Sequence, residues 1–254
     1  ARRTETTINA ILTAVTVFYD YHHRLGTTPS ISLYQGQRQS QRRYKGLLHH
    51  ITQKKPTRSR LIKLKERRRL PQTITYDQFK ALVRACNNKR DSFLLCLLYE
   101  TGMRIGQALG LRHEDIHSWD NEVLIVPRDE NINRMRAKGR ATYIIHVSPE
   151  LMMLYTDYLL SEFDDIDSDY VFVNIWEGVR GRPMSYAAVA DLFARLSSKT
   201  GIVIRPHMLR HTHATELLRA GWDASYVQQR LGHASVQTTI QTYAHLTNDD
   251  LKEA

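Results

Sequence analysis

Cysteine is nearly missing: the two copies, Cys86 and Cys96, form no C-x-x-C pair. That spacing argues against zinc ribbons and disulfide-stapled scaffolds. Each sits in an apolar, helix-like run, as expected of a buried thiol in a reducing compartment. Long apolar runs are missing too. The longest, Phe93-Leu94-Leu95-Cys96-Leu97-Leu98-Tyr99, is far short of the ~20 residues that cross a bilayer. With no signal peptide and no spanning segment, a cytoplasmic protein with no membrane partner is expected. Internal repeats and low-complexity tracts are absent, which sets aside repeat architectures. An initiator methionine is absent as well, and a chain opening on Ala1 is expected to be a fragment without its natural start. Acidic residues are scarce in one place: residues 1–70 hold 3 Asp and Glu against 16 Lys and Arg.

What is present is positive charge, unevenly spread. The 254 residues carry a net +10 and a pI near 9.7, with 42% apolar content, ample for a buried core. Such a balance points to a polyanion, either nucleic acid or an acidic membrane surface. The first 70 residues carry +13 and the remainder −3. Block asymmetry of this kind marks an arm or domain that grips phosphates.

Apolar residues at Ile8, Ile11, Leu12, Val15, Val17, Phe18 and Tyr21 repeat with helical spacing over 4–23. A second helix is expected over 36–53, carrying Arg38, Arg42, Arg43 and Lys45. Lys54, Lys55, Arg58, Arg60, Lys63, Lys65, Arg67 and Arg68 follow in a stretch without a steady apolar face. It reads as a basic linker over 56–72, separating a helical part, 1–55, from a second domain, 73–254. These twelve basic residues are the candidate phosphate contacts, and the resemblance described below makes them candidate DNA contacts.

In the second domain Thr75 is the expected N-cap of a helix through Asn87, and Asp91 of one through Tyr99, with Gly102 as its stop. The β-rich runs Val123–Val126 and Tyr143–Val147 flank a basic connection and suit a hairpin, with Val171–Val173 as a candidate third strand. From Met184-Ser185 onward the pattern is helical, broken at Gly201, Gly221 and Gly232, with Ser235 the expected N-cap of a last helix. The fold class is mainly α with a small antiparallel β-sheet, an α+β arrangement.

Chemistry concentrates near the end. Pro206 fits a first helical position, where its missing N–H costs nothing. His207 and Arg210 then share one face near a helix start, where backbone N–H groups favour an anion. Arg104, in Thr101-Gly102-Met103-Arg104, supplies a second forked donor for phosphate oxygens. Lys138, between the β-rich runs, is a candidate proton donor, with Arg136 and Arg140 as alternatives that spacing does not separate. Gly232-His233 and Tyr243 complete the set. Two arginines can hold one phosphate, histidines can move protons, and a tyrosine hydroxyl can attack phosphorus. Each residue alone has an ordinary reading as a solvated face, a fold-bracing arginine or a core aromatic. A metal cluster is the rival use of the histidine-rich tail, but no H-E-x-x-H partner motif accompanies it. No metal and no cofactor are expected.

Arg104, Lys138, His207-x-Leu209-Arg210-His211-Thr212-x-Ala214-Thr215, Leu231-Gly232-His233-Ala234-Ser235 and Thr242-Tyr243-Ala244-His245-Leu246 occur in that order. Together they resemble the tyrosine recombinases, the lambda-type integrase family, over roughly 73–250. The basic segment is similar, by position and charge only, to the later part of that family's helical core-binding domain and linker. The resemblance implies a bacterial mobile-element integrase or transposase, acting beside the nucleoid on double-stranded DNA, as a homotetramer on two duplexes. It implies that Tyr243 forms a 3′-phosphotyrosyl link, that Arg104 and Arg210 stabilise the non-bridging oxygens, and that Lys138 protonates the leaving 5′ oxygen. His207 becomes the general base or relay, and His233 a hydrogen-bond donor at the phosphate. The competing functions are a type IB topoisomerase-like relaxation enzyme and a non-catalytic DNA-binding regulator. One departure stands out: Gln107 replaces the glutamate that many relatives carry three residues after the first arginine. The missing carboxylate bears on how Arg104 is oriented and held.

Overall fold

A computed structural model describes residues 3–29, 34–36, 58–60, 62–65, 71–135, 141–176 and 178–232. The chain divides into two compact units, 1–69 and 70–254. In the first, helix α1 covers Glu5–Arg24. Thr4 starts it by accepting the Thr7 N–H on its hydroxyl, Glu5 faces the positive end of the helix dipole and Arg24 the negative end. Asn9 on α1 is buried and bonds the Leu64 main chain twice, amide to carbonyl and oxygen to N–H, both at 2.9 Å. A side chain thereby supplies the pairing that a neighbouring strand would give. Two short strands, β1 (Tyr34–Gly36) and β2 (Arg58–Arg60), pair antiparallel. The expected helix over 36–53 therefore does not begin at Gly36, and the rest of it lies outside the described residues. Within the expected linker, Arg58–Arg60 is strand, because its main chain finds a partner in β1.

The second unit is built around a largely buried helix. Helix α2 (Tyr76–Ala85) opens at Thr75 with a reciprocal cap to Gln78 and ends at Ala85 rather than Asn87. Helix α3 (Lys89–Thr101) starts at Asn88, not Asp91. Asp91 lies inside its first turn, donating its N–H to Asn88 while its carboxylate pairs with Arg90 at 2.7 Å. Phe93, Leu94, Leu95, Leu97 and Leu98 are buried on more than one face of α3, so the helix takes the centre of the unit. Each such side chain contributes about 2 kcal/mol of transfer free energy. Cys96 shares this helix, and burial pushes its thiol up to about 12. Cys86 closes α2, and burial raises it to about 11. Both thiols are half-buried and are held in the protonated form near neutral pH.

A short helix, α4 (Ile105–Ala108), and a 3-10 turn at His113–Asp115 lead into the sheet. Its strands are β3 (Ile116–His117), β4 (Glu122–Ile125) and β5 (Tyr143–His146), antiparallel in the order β3-β4-β5. The expected hairpin is present as β4–β5. The third strand is Ile116–His117 rather than Val171–Val173: that apolar run is buried in the core and makes only a single bridge, from Val173 to Pro183. Helix α5 (Pro149–Tyr158) packs on α3 and runs into a π-helical turn, Leu159–Phe163. Helices α6 (Tyr186–Thr200), α7 (Pro206–Arg219) and α8 (Ala224–Leu231) follow, with α6 against α2, α7 against α3, and α8 against α7. The expected breaks at Gly201, Gly221 and Gly232 all fall at helix ends. No helix among the described residues is long and apolar enough to cross a membrane.

Candidate active site

The centre of the site is a set of main-chain carbonyls at two helix ends. Helix α3 stops at Gly102, whose φ of 61° is the left-handed conformation that closes a helix. A Cβ there would lie 2.6 Å from His213 Cδ2 and 2.8 Å from Leu231 Cδ2, so both conformation and space require glycine. The turn leaves the Gly102 carbonyl unclaimed by the helix and places Arg104 at the start of α4. There the Arg104 N–H donates to Gln107 Oε1 at 2.8 Å.

Arg210 reaches the same place from α7. Pro206 occupies the first turn of that helix, as expected, and Met208 and Leu209 enter the core. Arg210 is 5% exposed. Its Nη1 donates to Gly102 O at 2.7 Å and its Nη2 to Leu231 O at 2.9 Å. Arg104 Nη1 donates to Gly232 O at 3.3 Å. The last carbonyls of a helix lack intrahelical partners and carry the negative end of its dipole. The end of α8 thus holds both arginines by adjacent residues. Carbonyl partners orient a guanidinium and leave its formal charge intact, and a desolvated cation so placed is a strong receptor for an anion.

Histidines surround the cation pair. His207 is exposed, one turn before Arg210 on α7. His211 is half-buried, and burial, followed by the charges of His207 and Arg210, pulls its pKa below the usual imidazole value. His213 is buried, and burial, with Arg230 and Arg210 adding, lowers it to about 3. Neutral His213 accepts the Arg230 Nε–H at 3.2 Å. Arg230 also donates to Glu100 O and His146 O, at 3.3 and 3.2 Å, which fastens α8 to α3 and β5.

Of the sequence-derived set, Arg104 and Arg210 are brought together, with His207 on the same helix as Arg210. His233 follows Gly232 directly in the chain and, like Lys138 and Tyr243, lies outside the described residues, as does the last helix expected from Ser235. Lys138 falls in the connection between β4 and β5. Among the candidate DNA contacts, Lys63 and Lys65 are exposed and Arg58 and Arg60 form β2. Arg38, Arg42, Arg43, Lys45, Lys54, Lys55, Arg67 and Arg68 lie outside the described residues. The sequence reading missed Tyr143, His213 and Arg230 as parts of this neighbourhood. Their contacts join positions 17 to 130 residues apart, which no local spacing reveals. Among the described residues no cluster of His, Cys, Asp and Glu is arranged to hold a metal ion.

A phage integrase family model matches residues 72–249. Transposase A from transposon Tn554 of Staphylococcus aureus is 46% identical over 253 residues, which cover 99% of this chain and 69% of the transposase. Tyrosine recombinase XerA of Pyrococcus horikoshii is 33% identical over 185 residues, covering 73% of this chain and 60% of XerA. A crystal structure of XerA recombinase is similar with a TM-score of 0.61 at 30% identity, over 74% of this chain and 65% of that one. The Tn1549 transposon integrase in complex with transposon right end DNA gives 0.59 at 19% identity, over 74% and 68% of the two chains, a likeness of fold alone.

Proposed function

This chain belongs to the phage integrase family and is a tyrosine-type site-specific DNA recombinase, and from that premise we propose that it cuts and rejoins DNA through Tyr243. The Tyr243 hydroxyl oxygen forms a bond to the scissile phosphorus, and the bond to the 5′ oxygen breaks. The phenolic proton passes to His207, directly or by relay, and Lys138 gives a proton to the departing 5′ oxygen. The product is a 3′-phosphotyrosyl ester and a 5′-hydroxyl. Attack by the 5′-hydroxyl of another strand reverses every bond change and releases Tyr243. One phosphate ester replaces another, so no nucleotide hydrolysis is required.

The observation that carries this reading is the convergence of Arg104 and Arg210 on the Gly232 and Leu231 carbonyls. Two fixed guanidiniums match the extra negative charge of a pentavalent phosphorus better than that of the resting diester, which is the condition for catalysis. His233, next in the chain, is assigned a hydrogen bond to the same phosphate.

The substrate is double-stranded DNA, drawn from the ends of a mobile element and its target, and the working assembly is a homotetramer on two duplexes. The +13 charge of residues 1–70 supports DNA gripping by the first unit. The decisive test is covalent trapping on nicked element-end duplexes, read on a denaturing gel. The natural chain forms a protein–DNA band, with or without a chelator. Tyr243→Phe binds the same duplex and forms none. A covalent band persisting in Tyr243→Phe would remove the assignment.

A further inference from the structure

The arginines are tied to the end of α8, and a ring of four contacts sets that end in register with Arg104. The Arg104 N–H donates to Gln107 Oε1 at 2.8 Å. Gln107 Nε2 donates to Tyr143 Oη at 3.0 Å. Tyr143 lies against Gly232 so closely that a Cβ on residue 232 would sit 2.8 Å from Oη and 3.1 Å from Cζ. The Gly232 carbonyl accepts from Arg104 Nη1. Gln107 is 4% exposed, so its amide is withdrawn from water and both ends are used inside the ring.

We propose that Tyr143 is a positioning residue for strand cleavage, a strut that sets the Arg104 guanidinium through Gln107 on one side and Gly232 on the other. The inference rests on the proposed phosphotyrosyl chemistry and goes beyond it. Tyr143 is the first residue of β5, paired with Ile125, where the connection carrying Lys138 returns to the sheet. The strut therefore braces the first arginine, the residue before His233 and the foot of the lysine connection at one point. Gln107 meets the Arg104 N–H with its amide oxygen and the Tyr143 hydroxyl with its amide nitrogen.

A tyrosine that merely packs at a sheet end has no use for its hydroxyl, and phenylalanine would serve as well. This separates the two roles. Tyr143→Phe keeps the ring and is expected to slow covalent-complex formation about 10-fold at saturating DNA, the usual scale for one lost positioning hydrogen bond. Affinity for the duplex stays within about twofold, since neither group of the strut binds phosphate. Gln107→Leu gives the same loss, and the double variant is no slower than the slower single one, because both cut one strut. Gln107→Glu, whose carboxylate accepts from the Arg104 N–H and from the Tyr143 hydroxyl, restores the rate. The Arg104 Nε–H resonance of the DNA-free chain gives a readout independent of chemistry. It shifts in Tyr143→Phe and Gln107→Leu and returns in Gln107→Glu. If the resonance behaves so while the natural chain forms no covalent complex, the proposed function falls and the strut stands. An unmoved Arg104 resonance, full cleavage by Tyr143→Phe, or losses that multiply in the double variant would each overturn it.

Discussion

Arg104 and Arg210, 106 positions apart in sequence, end on consecutive carbonyls: Arg104 donates to Gly232 O and Arg210 to Leu231 O. The spacing of the two guanidiniums is therefore set by one peptide unit at the end of α8. Arg210 spans two carbonyls, Gly102 O and Leu231 O, with the two arms of its fork. An ammonium is a point charge and has no such fork. Arg210→Lys is accordingly expected to keep the positive charge and lose the geometry. Covalent-complex formation should fall at least about 100-fold, the scale of removing one preorganised donor from a transition-state site. A quench-flow time course on the nicked duplex checks it, and a lysine variant within tenfold of the natural rate would show that charge alone suffices.

Gly102 carries a second demand on the same geometry. Its carbonyl holds Arg210, its φ is 61°, and its α-carbon faces His213 and Leu231 at less than van der Waals distance for any added carbon. Gly102→Ala combines a left-handed backbone cost of about 1–2 kcal/mol with overpacking of about 1–3 kcal/mol. Urea denaturation should show a loss of about 2–5 kcal/mol. A loss under 1 kcal/mol would mean that His213 and Leu231 move aside freely.

Much of this was legible in the chain because it is local. The caps at Thr75, Pro206 and Gly102, the hairpin of two β-rich runs and the helical breaks at glycine all follow from neighbours within a turn. The start of α3 falls at Asn88 rather than Asp91, two residues that are both good caps. Asn88 takes the role once Asp91 is engaged by Arg90. The Val171–Val173 run has β character, yet it serves the core, where Val171, Phe172 and Val173 are fully buried and only one bridge forms. The expected helix over 36–53 meets a strand at its first residue. Among site residues, Arg104, His207 and Arg210 stood out because recognisable short motifs carry them. Tyr143 and Arg230 did not, since their roles exist only when β5 and α8 are packed beside α4 and α3.

Salt will report on the basic segment. Each phosphate neutralised releases counterions, so a surface making about six contacts loses roughly 1,000-fold in affinity between about 50 and 200 mM salt. Lys63 and Lys65 are exposed in the first unit, away from the arginine pair in sequence. Replacing both by glutamine should reduce the slope of log affinity against log salt by about two while leaving base preference unchanged. Fluorescence anisotropy at several salt concentrations measures both. An unaltered slope would remove these two lysines from the DNA-facing surface.

Acid will act through His213. Burial, with Arg230 and Arg210 nearby, lowers its pKa from 6.5 to about 3. In the unfolded chain it returns to about 6.5. Between those values the unfolded state binds a proton that the folded state refuses, so stability rises with pH through that window. The contribution is complete above pH 6.5 and is lost as pH falls toward 3. His211 is lowered in the same sense and adds to the slope. One such group changes stability by at most about 1.4 kcal/mol per pH unit. Measured between about pH 7 and 5, above most carboxylate titration, stability should therefore fall steadily. His213→Gln keeps an acceptor for the Arg230 Nε–H and removes the titration. It should flatten the slope by close to one proton while cleavage at pH 7.5 persists. If the glutamine variant loses stability with acid as steeply as the natural chain, His213 is protonated in the fold and the Arg230 contact needs another explanation.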